Sequence, residues 1–473
     1  MLKLADAIEA LTKTRPNASL IITEAAIDSR QVIPGSLFIA ISGEHADGHD
    51  FVDEAFKHGA SFALTQREVS PTFRTLYLRG GQAFESAPDY TPPLCLRVDN
   101  TLGALQQIAR FWRRKLDLRV IGITGSVGKS TTKEVVGQVL SERYRTLKSP
   151  GNLNNEIGLP LTILRLGAGY ERAVLEMGFY FPGEIAFLCD IALPQVGVVT
   201  NIGTVHAERA GSQEAIARGK AELVQKLPPA PEGVAILNFD DPLVRKMEEK
   251  TKARIFFYGL SAEADLWADH VEGLGLDGIR FRLHYQRETM HVHIPMIGRH
   301  SVETALRAAA VGLAEGLNWQ EILHGLRRGN SQLRLVAVRS ESGAVLLDDT
   351  YNASPESMLA SLNLLSELEG QRKIAVLGDM LELGPYEQQG HEMVGLRAAQ
   401  VADILVTFGT RAHMYAKAAR RSGMKPAKVI EFEDNAPLVE WLQRNLSKDD
   451  AVLLKGSHGL RMDRILAELE VQQ

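Results

Sequence analysis

Cysteine is nearly missing from this 473-residue sequence: only Cys95 and Cys189 occur. Two cysteines cannot make a disulfide framework, and neither has a Cys or His partner at zinc-site spacing. A reducing cytoplasm is the compartment this usage implies. Long apolar runs are absent as well. None approaches the ~18 residues of a membrane-spanning helix, so membrane insertion is not expected. The opening stretch, Met1 to Thr14, reads as an amphipathic helix and not as a signal peptide, because Asp6 and Glu9 interrupt any apolar run. There is no surplus of positive charge. Lys plus Arg number 53 against 58 Asp plus Glu, a net charge of −5, which argues against a nucleic-acid protein held by bulk charge but allows a local basic site. Internal repeats of 20–50 residues and low-complexity segments are also lacking. What remains, 45% apolar and 23% charged residues, is the balance of an ordinary globular protein.

At roughly 150 residues per domain the length suggests three domains, more than one hydrophobic core supports. Residues 1–100 carry short apolar runs (Leu20–Ile22, Leu37–Ile41, Ser61–Thr65) broken by Gly and Pro, with a helical stretch near Phe51–His58. This is the pattern of a small α/β domain, ending in a loop from Gly80 to Pro93. A helix is expected from Thr101, where Leu102, Leu105, Ile108, Ala109, Trp112 and Leu116 recur at three- and four-residue spacing, placing them on one face. Residues 101–332 then hold apolar runs at Val120–Thr124, Ala173–Met177, Val196–Thr200 and Val234–Leu237. Near-continuous runs of this length suit parallel strands covered on both faces. Alternation over Gly278–Tyr285 and Met290–Met296 marks an antiparallel appendage. Residues 333–473 alternate strand-like runs (Ala344–Asp349, Lys373–Gly378, Ile404–Phe408, Val429–Phe432, Ala451–Leu454) with helical segments, the signature of a doubly wound, Rossmann-like α/β domain.

The strongest local signal is a strand running into Gly125-Ser126-Val127-Gly128-Lys129-Ser130-Thr131 and then a helix. Glycines let backbone N–H groups turn inward onto a phosphate. The helix N-terminus, the Lys129 cation and the Ser130 hydroxyl supply the remaining interactions that a nucleotide with Mg²⁺ needs. The spacing, Gly-x-x-Gly-Lys-Ser, is shorter than the usual phosphate loop. Phosphoryl transfer needs carboxylates or other metal ligands at neighbouring strand ends. Glu176 ends one apolar run and His206 follows another. Alone, the first reads as a solvated strand-end carboxylate and the second as a loop histidine; beside the phosphate loop both read as site residues. Asp348 and Asp349 end a strand in the third block, and Gly378-Asp379-Met380 ends another. Arg334 opens that block, where it is able to reach back to a nucleotide.

These stretches resemble the Mur ligase family over essentially the whole chain. Besides the phosphate loop, the resemblance lies in Asp28-Ser29-Arg30, Asp47-Gly48-His49-Asp50-Phe51, Gly151-Asn152-Leu153-Asn154-Asn155, Glu176-Met177-Gly178, Thr200-Asn201-Ile202-Gly203 with His206, Gly298-Arg299-His300, Asp348 to Asn352, Gly378 to Gly384 and Leu454 to Ser457. Two of them, Gly151 to Asn155 and Gly378 to Gly384, point to the branch that adds D-alanyl-D-alanine to a UDP-N-acetylmuramoyl tripeptide. The resemblance implies an ATP- and Mg²⁺-dependent ligase of cell-wall precursor synthesis, working as a monomer, with the UDP-sugar held by the first domain, ATP by the second and the incoming amine by the third. It assigns Lys129 to the β/γ-phosphates, Ser130 to one Mg²⁺, and Glu176 and His206 to a second. Asn154 and Asn155 would meet the muramoyl peptide or the transferred phosphate, Ser29 and Arg30 the uridine end. His300, Arg334 and Asp349 would hold the nucleotide. Lys220 matches a position where relatives carry a carbamoylated, metal-bridging lysine, whereas its residue type alone reads as a helix-surface lysine. Ser301 and Thr304 stand where the family usually has adenine-contacting asparagines, so adenine recognition is expected to differ. A folylpolyglutamate-type ligase and a nucleotide switch without ligase chemistry are the competing readings. Asp28-Ser29-Arg30 speaks against the first and Asp348 to Asn352 against the second.

Overall fold

The computed structural model describes residues 1–43, 46–80, 88–204, 207–328, 336–368 and 372–469. Three sheets follow one another along the chain. The first has five parallel strands in the spatial order Ala25–Ala26, Leu37–Ile39, Phe62–Thr65, Leu94–Arg97, Arg74–Tyr77. The run Leu20–Ile22 forms no strand, only a single bridge from Ile21 to Lys3. Residues 81–87 of the expected loop from Gly80 to Pro93 lie outside the described residues, as does the expected boundary at 332/333.

The middle sheet has nine strands. Its parallel centre is Val234–Asn238, Val196–Val199, Arg119–Thr124, Arg172–Glu176 and Thr146–Lys148, with Arg254–Gly259 on the far side. An antiparallel extension, Leu266–Gly273, Ile279–Tyr285 and Glu288–Ile294, completes it. Central strands bury both faces. Ile121, Ile123, Val174 and Val198 point into one core, and Val120, Ala173, Leu175 and Val199 into the other. That second core is continuous with the first sheet's through the helix Thr101–Arg114, whose Leu105, Ile108, Ala109 and Trp112 all join it. Asn100 caps this helix by accepting from Gly103 N at 2.7 Å.

The third sheet runs Val336–Arg339, Val345–Asp349, Asp450–Lys455, Arg372–Gly378, Ile404–Phe408, Val429–Phe432, parallel except for its first strand. Helices cover both faces. Val345, Leu347, Leu377 and Leu453 pack on one side and Leu346, Val376, Val452 and Leu454 on the other. The three-domain α/β class with an antiparallel appendage is therefore the observed architecture. Both cysteines are buried. Burial pushes the Cys95 thiol up to about 11, so neither is a ready nucleophile. Among the described residues, no helix is long and apolar enough to cross a membrane.

Candidate active site

Three central strands of the middle sheet end side by side, since Ile123 pairs with Glu176 and Thr124 with Val199. The carboxyl ends of such strands are where a doubly wound sheet gathers its ligands. The chain leaves Thr124 through Gly125 at φ +145, where an added Cβ would sit 1.8 Å from Thr200 Oγ1. Only glycine fits so close an approach. The loop is braced by the next strand's end: Ser126 N donates to Asn201 O at 2.9 Å, Val127 N to Asn201 Oδ1 at 2.9 Å and Thr200 Oγ1 to Val127 O at 2.7 Å. Gly128, at φ +83, opens the helix Lys129–Ser141. The first-turn amides of that helix have no intrahelical acceptor, and its dipole favours an anion there.

Lys129 is half-buried and folds its ammonium back to Gly125 O at 2.9 Å and Ser126 O at 3.2 Å. Ser130 Oγ donates to Glu176 Oε2 at 2.6 Å, and Asn154 Nδ2 to Glu176 Oε1 at 2.9 Å. Glu176 is 2% exposed, so the solvated strand-end reading is excluded. Lys220 is a clearer departure from its surface reading. It is 1% exposed, its ammonium 2.9 Å from Gly125 O and 4.9 Å from the centre of the Phe179 ring. Its helix reaches this depth because an added Cβ on Gly219 would meet Phe179 Cε2 at 2.0 Å. Burial first, and the charge of Lys129 second, push the Lys220 amine well below its usual range.

The third sheet supplies the opposite wall. Adjacent strand residues point to opposite faces, so Asp348 and Asp349 part company. Asp348 accepts from Thr350 N and Oγ1 in a local turn at 3.0 and 2.8 Å. Asp349 faces the middle domain, accepting from Ser361 Oγ at 2.6 Å and from Lys455 Nζ at 2.7 Å. Lys455 pairs with Asp349 in register and also donates to Asn352 O at 2.8 Å. A cleft of about 510 Å³ runs between the walls, lined by Ser126 to Thr131, Asn154, Glu176, His300, Arg307, Asp349 and Lys455. The His300 ring lies over Gly298, where an added Cβ would stand 2.6 Å from its Cε1. An adjoining cleft of about 840 Å³ shares Ser130, Thr131, Asn152, Tyr180 and Tyr351 with the first and adds Lys133, Leu381, Glu382, Ser457 and His458. The two domains touch beside it: Arg209 pairs with Glu382 at 3.4 Å, and an added Cβ on Gly384 would lie 2.8 Å from Glu208 Cα.

Other expected site residues stand apart from these clefts. Asn155 Oδ1 accepts from Gly158 N at 2.8 Å and so serves the start of the helix Gly158–Leu164. Ser29 and Arg30 lie in the first domain. The buried Ser29 hydroxyl donates to Glu54 at 3.0 Å, while the exposed Arg30 forks onto Asp28 at 2.9 and 2.8 Å. His206 and Arg334 lie outside the described residues. Lys455 and Arg307 were given no role by sequence reasoning. The signal for each was a lone cation in apolar company, after Ala451–Leu454 and inside the Ala-rich helix Ser301–Ala314.

The donor set suits Mg²⁺. A hard cation takes oxygen ligands and reaches such sites with phosphate and water filling most positions. Ser130 and Glu176 offer oxygens side by side. Among the described residues no three His, Cys, Asp or Glu side chains form a ready-made cage.

Family models match three consecutive stretches: Mur ligase family, catalytic domain over 21–113; Mur ligase middle domain over 123–312; and Mur ligase, glutamate ligase domain over 333–458. A UDP-N-acetylmuramoyl-tripeptide–D-alanyl-D-alanine ligase of Bacillus subtilis is 36% identical over 95% of this chain and 93% of its own. The crystal structure of MurF from Acinetobacter baumannii superposes with a TM-score of 0.82 at 30% identity, covering 98% of both chains. MurF ligase from Thermotoga maritima, in complex with ADP, gives 0.78 at 29% identity, covering 95% of this chain and 97% of that one. With its domain order, phosphate loop and facing acidic strand end accounted for, the chain belongs to the Mur ligase family.

Proposed function

We propose that this chain is the ATP-dependent ligase that joins D-alanyl-D-alanine to UDP-N-acetylmuramoyl-tripeptide in cytoplasmic peptidoglycan precursor synthesis. The observation that carries it is the meeting of Lys129, Ser130 and Glu176 with Asp349 and Lys455 across one cleft, in a chain similar end to end to ligases of that name. The chemistry follows from the substrates. A carboxylate is a poor electrophile, and transfer of the γ-phosphoryl group of ATP converts it to an acyl phosphate with a good leaving group. The dipeptide amine then attacks the acyl carbon, phosphate departs, and an amide remains. The enzyme's contribution is positioning and charge neutralisation.

In this reading Lys129 leaves its loop carbonyls for the β/γ-phosphates, joined by the first-turn amides of its helix. Ser130 would hold one Mg²⁺ and Glu176 with His206 a second, and the ions would supply charge neutralisation on the phosphates. Burial beside Lys129 disfavours the charged form of the Lys220 amine, which is the direction carbamoylation needs, and only as the carbamate would it offer oxygens to a metal. Asn154 orients Glu176 and borders the muramoyl-peptide carboxylate. His300 and Asp349 border the nucleotide, with Arg334 assigned to it by resemblance. The larger cleft beside Glu382 and Ser457 takes the dipeptide. Ser29 and Arg30 are assigned to the uridine end. The reading takes a monomer as the working unit.

Purified protein given ATP, UDP-N-acetylmuramoyl-tripeptide and D-Ala-D-Ala should release phosphate only when all three are present. Equal release without the dipeptide would overturn the reading, and an acceptor panel separates it from a folylpolyglutamate-type ligase. Glu176→Ala should raise the Mg²⁺ concentration for half-maximal rate about tenfold or more, by removing one oxygen ligand and the partner of Ser130. An unchanged Mg²⁺ dependence would remove Glu176 from the metal's surroundings.

A further inference from the structure

The helix Ser301–Ala314 is almost wholly buried, and its one basic residue is Arg307. A guanidinium retains its charge at any physiological pH and brings five N–H donors that all need acceptors. Only 4% of this side chain is exposed. Nε donates to Glu303 O at 3.0 Å, and Nη2 to Thr304 Oγ1 at 3.3 Å, with the Glu303 carboxylate 3.6 Å away. The Tyr258 ring centre lies 5.7 Å from Cζ. These contacts fix the plane of the fork and leave one nitrogen over. Nη1 is buried and has no hydrogen-bond partner among the described residues.

Its surroundings point to the missing acceptor. Arg307 lines the cleft that holds the phosphate loop. An added Cβ on Gly128 would stand 3.3 Å from Nη1, with Nη2 and Cζ next nearest. The guanidinium therefore packs on the residue that opens the helix Lys129–Ser141, where the backbone already favours an anion. A nitrogen that only donates, on a charged group held in place by its other bonds, is built for an oxyanion. We propose that Arg307 is a second cation for the nucleotide's phosphates, its Nη1 donating to a phosphate oxygen that Lys129 does not take up. This rests on the nucleotide reading above and adds to it a binding residue that reads the phosphates and not the base. Gly128 is then favoured twice, for its positive φ and because a Cβ there would crowd Nη1 at 3.3 Å.

Calorimetric titration of the wild type, Arg307→Met and Arg307→Lys with ADP and with adenosine tests this. The methionine variant should bind ADP about tenfold or more weakly, the loss of one charge-assisted hydrogen bond, and bind adenosine within twofold of wild type. Lysine restores the charge without the fork and should recover part of the ADP affinity. KM for ATP should rise in parallel, while KM for the dipeptide stays put. If the methionine variant does not fold, Arg307→Gln, neutral and still able to donate to Thr304, carries the same expectation. Unchanged ADP affinity in a folded neutral variant would overturn the proposal. So would an equal loss for adenosine, which would make Arg307 a support for the base side. Failure of the wild type to bind ADP would instead overturn the nucleotide reading on which this rests.

Discussion

Replacing Lys129 with alanine should lower the ligation rate about 10³-fold while leaving the protein folded. A preorganised charge aimed at a transferring phosphoryl group in a water-poor site carries an effect of this order. The fold should survive because the ammonium is half-buried and its acceptors do not depend on it. Gly125 O keeps the donor Lys220 Nζ, and the loop stays tied to Asn201 and Thr200 through Ser126 N, Val127 N and Val127 O. The thermal midpoint should thus move by no more than about 2 °C, the range of a substitution outside the core. Phosphate release and a melting curve on the same sample decide the matter. Near-normal turnover would remove Lys129 from the chemistry, and a collapsed midpoint would make it a structural brace of the loop.

The second large effect is on stability. Lys455 is 1% exposed and its ammonium is 2.7 Å from Asp349 Oδ2. Lys455→Ala would leave that carboxylate, 16% exposed at the cleft wall, with the Ser361 hydroxyl alone, and would remove the bond to Asn352 O. Removing one member of a buried ion pair costs about 3 kcal/mol, because the remaining charge has lost its compensation. For a domain of this size that lowers the midpoint by roughly 10 °C. Lys455→Met combined with Asp349→Asn removes both charges and should recover most of the loss while staying inactive. A midpoint shift under about 1 °C in Lys455→Ala would mean that the pair is not a stabilising unit.

Both predictions concern lysines that follow apolar strands or glycine loops, yet they were not equally legible. Lys129 announces itself within seven residues, since glycines, cation, hydroxyl and helix start are all local. Lys455 sits in a stretch that resembles the family, but its role depends on a partner 106 residues away. That pairing exists only because Val345–Asp349 and Asp450–Lys455 are neighbouring strands in register. Lys220 misled for a related reason. Its helix has polar residues on several sides, and only the close approach of Gly219 to Phe179 shows which side is inward.

Local sequence determined the order of elements, the parallel sheets, the antiparallel appendage and the phosphate loop. Strand burial, helical period and glycine conformations are properties of neighbouring residues. Tertiary structure alone decided that Asp349 and not Asp348 faces the cleft, that Asn155 accepts from Gly158 N while Asn154 holds Glu176, that Lys220 is buried beside the loop, and that Arg307 presses against Gly128 a nitrogen without a partner among the described residues. Each of these depends on which distant strand or helix is adjacent. Adjacency sets burial, burial sets the cost of an unpaired charge, and that cost marks these groups as parts of a binding site.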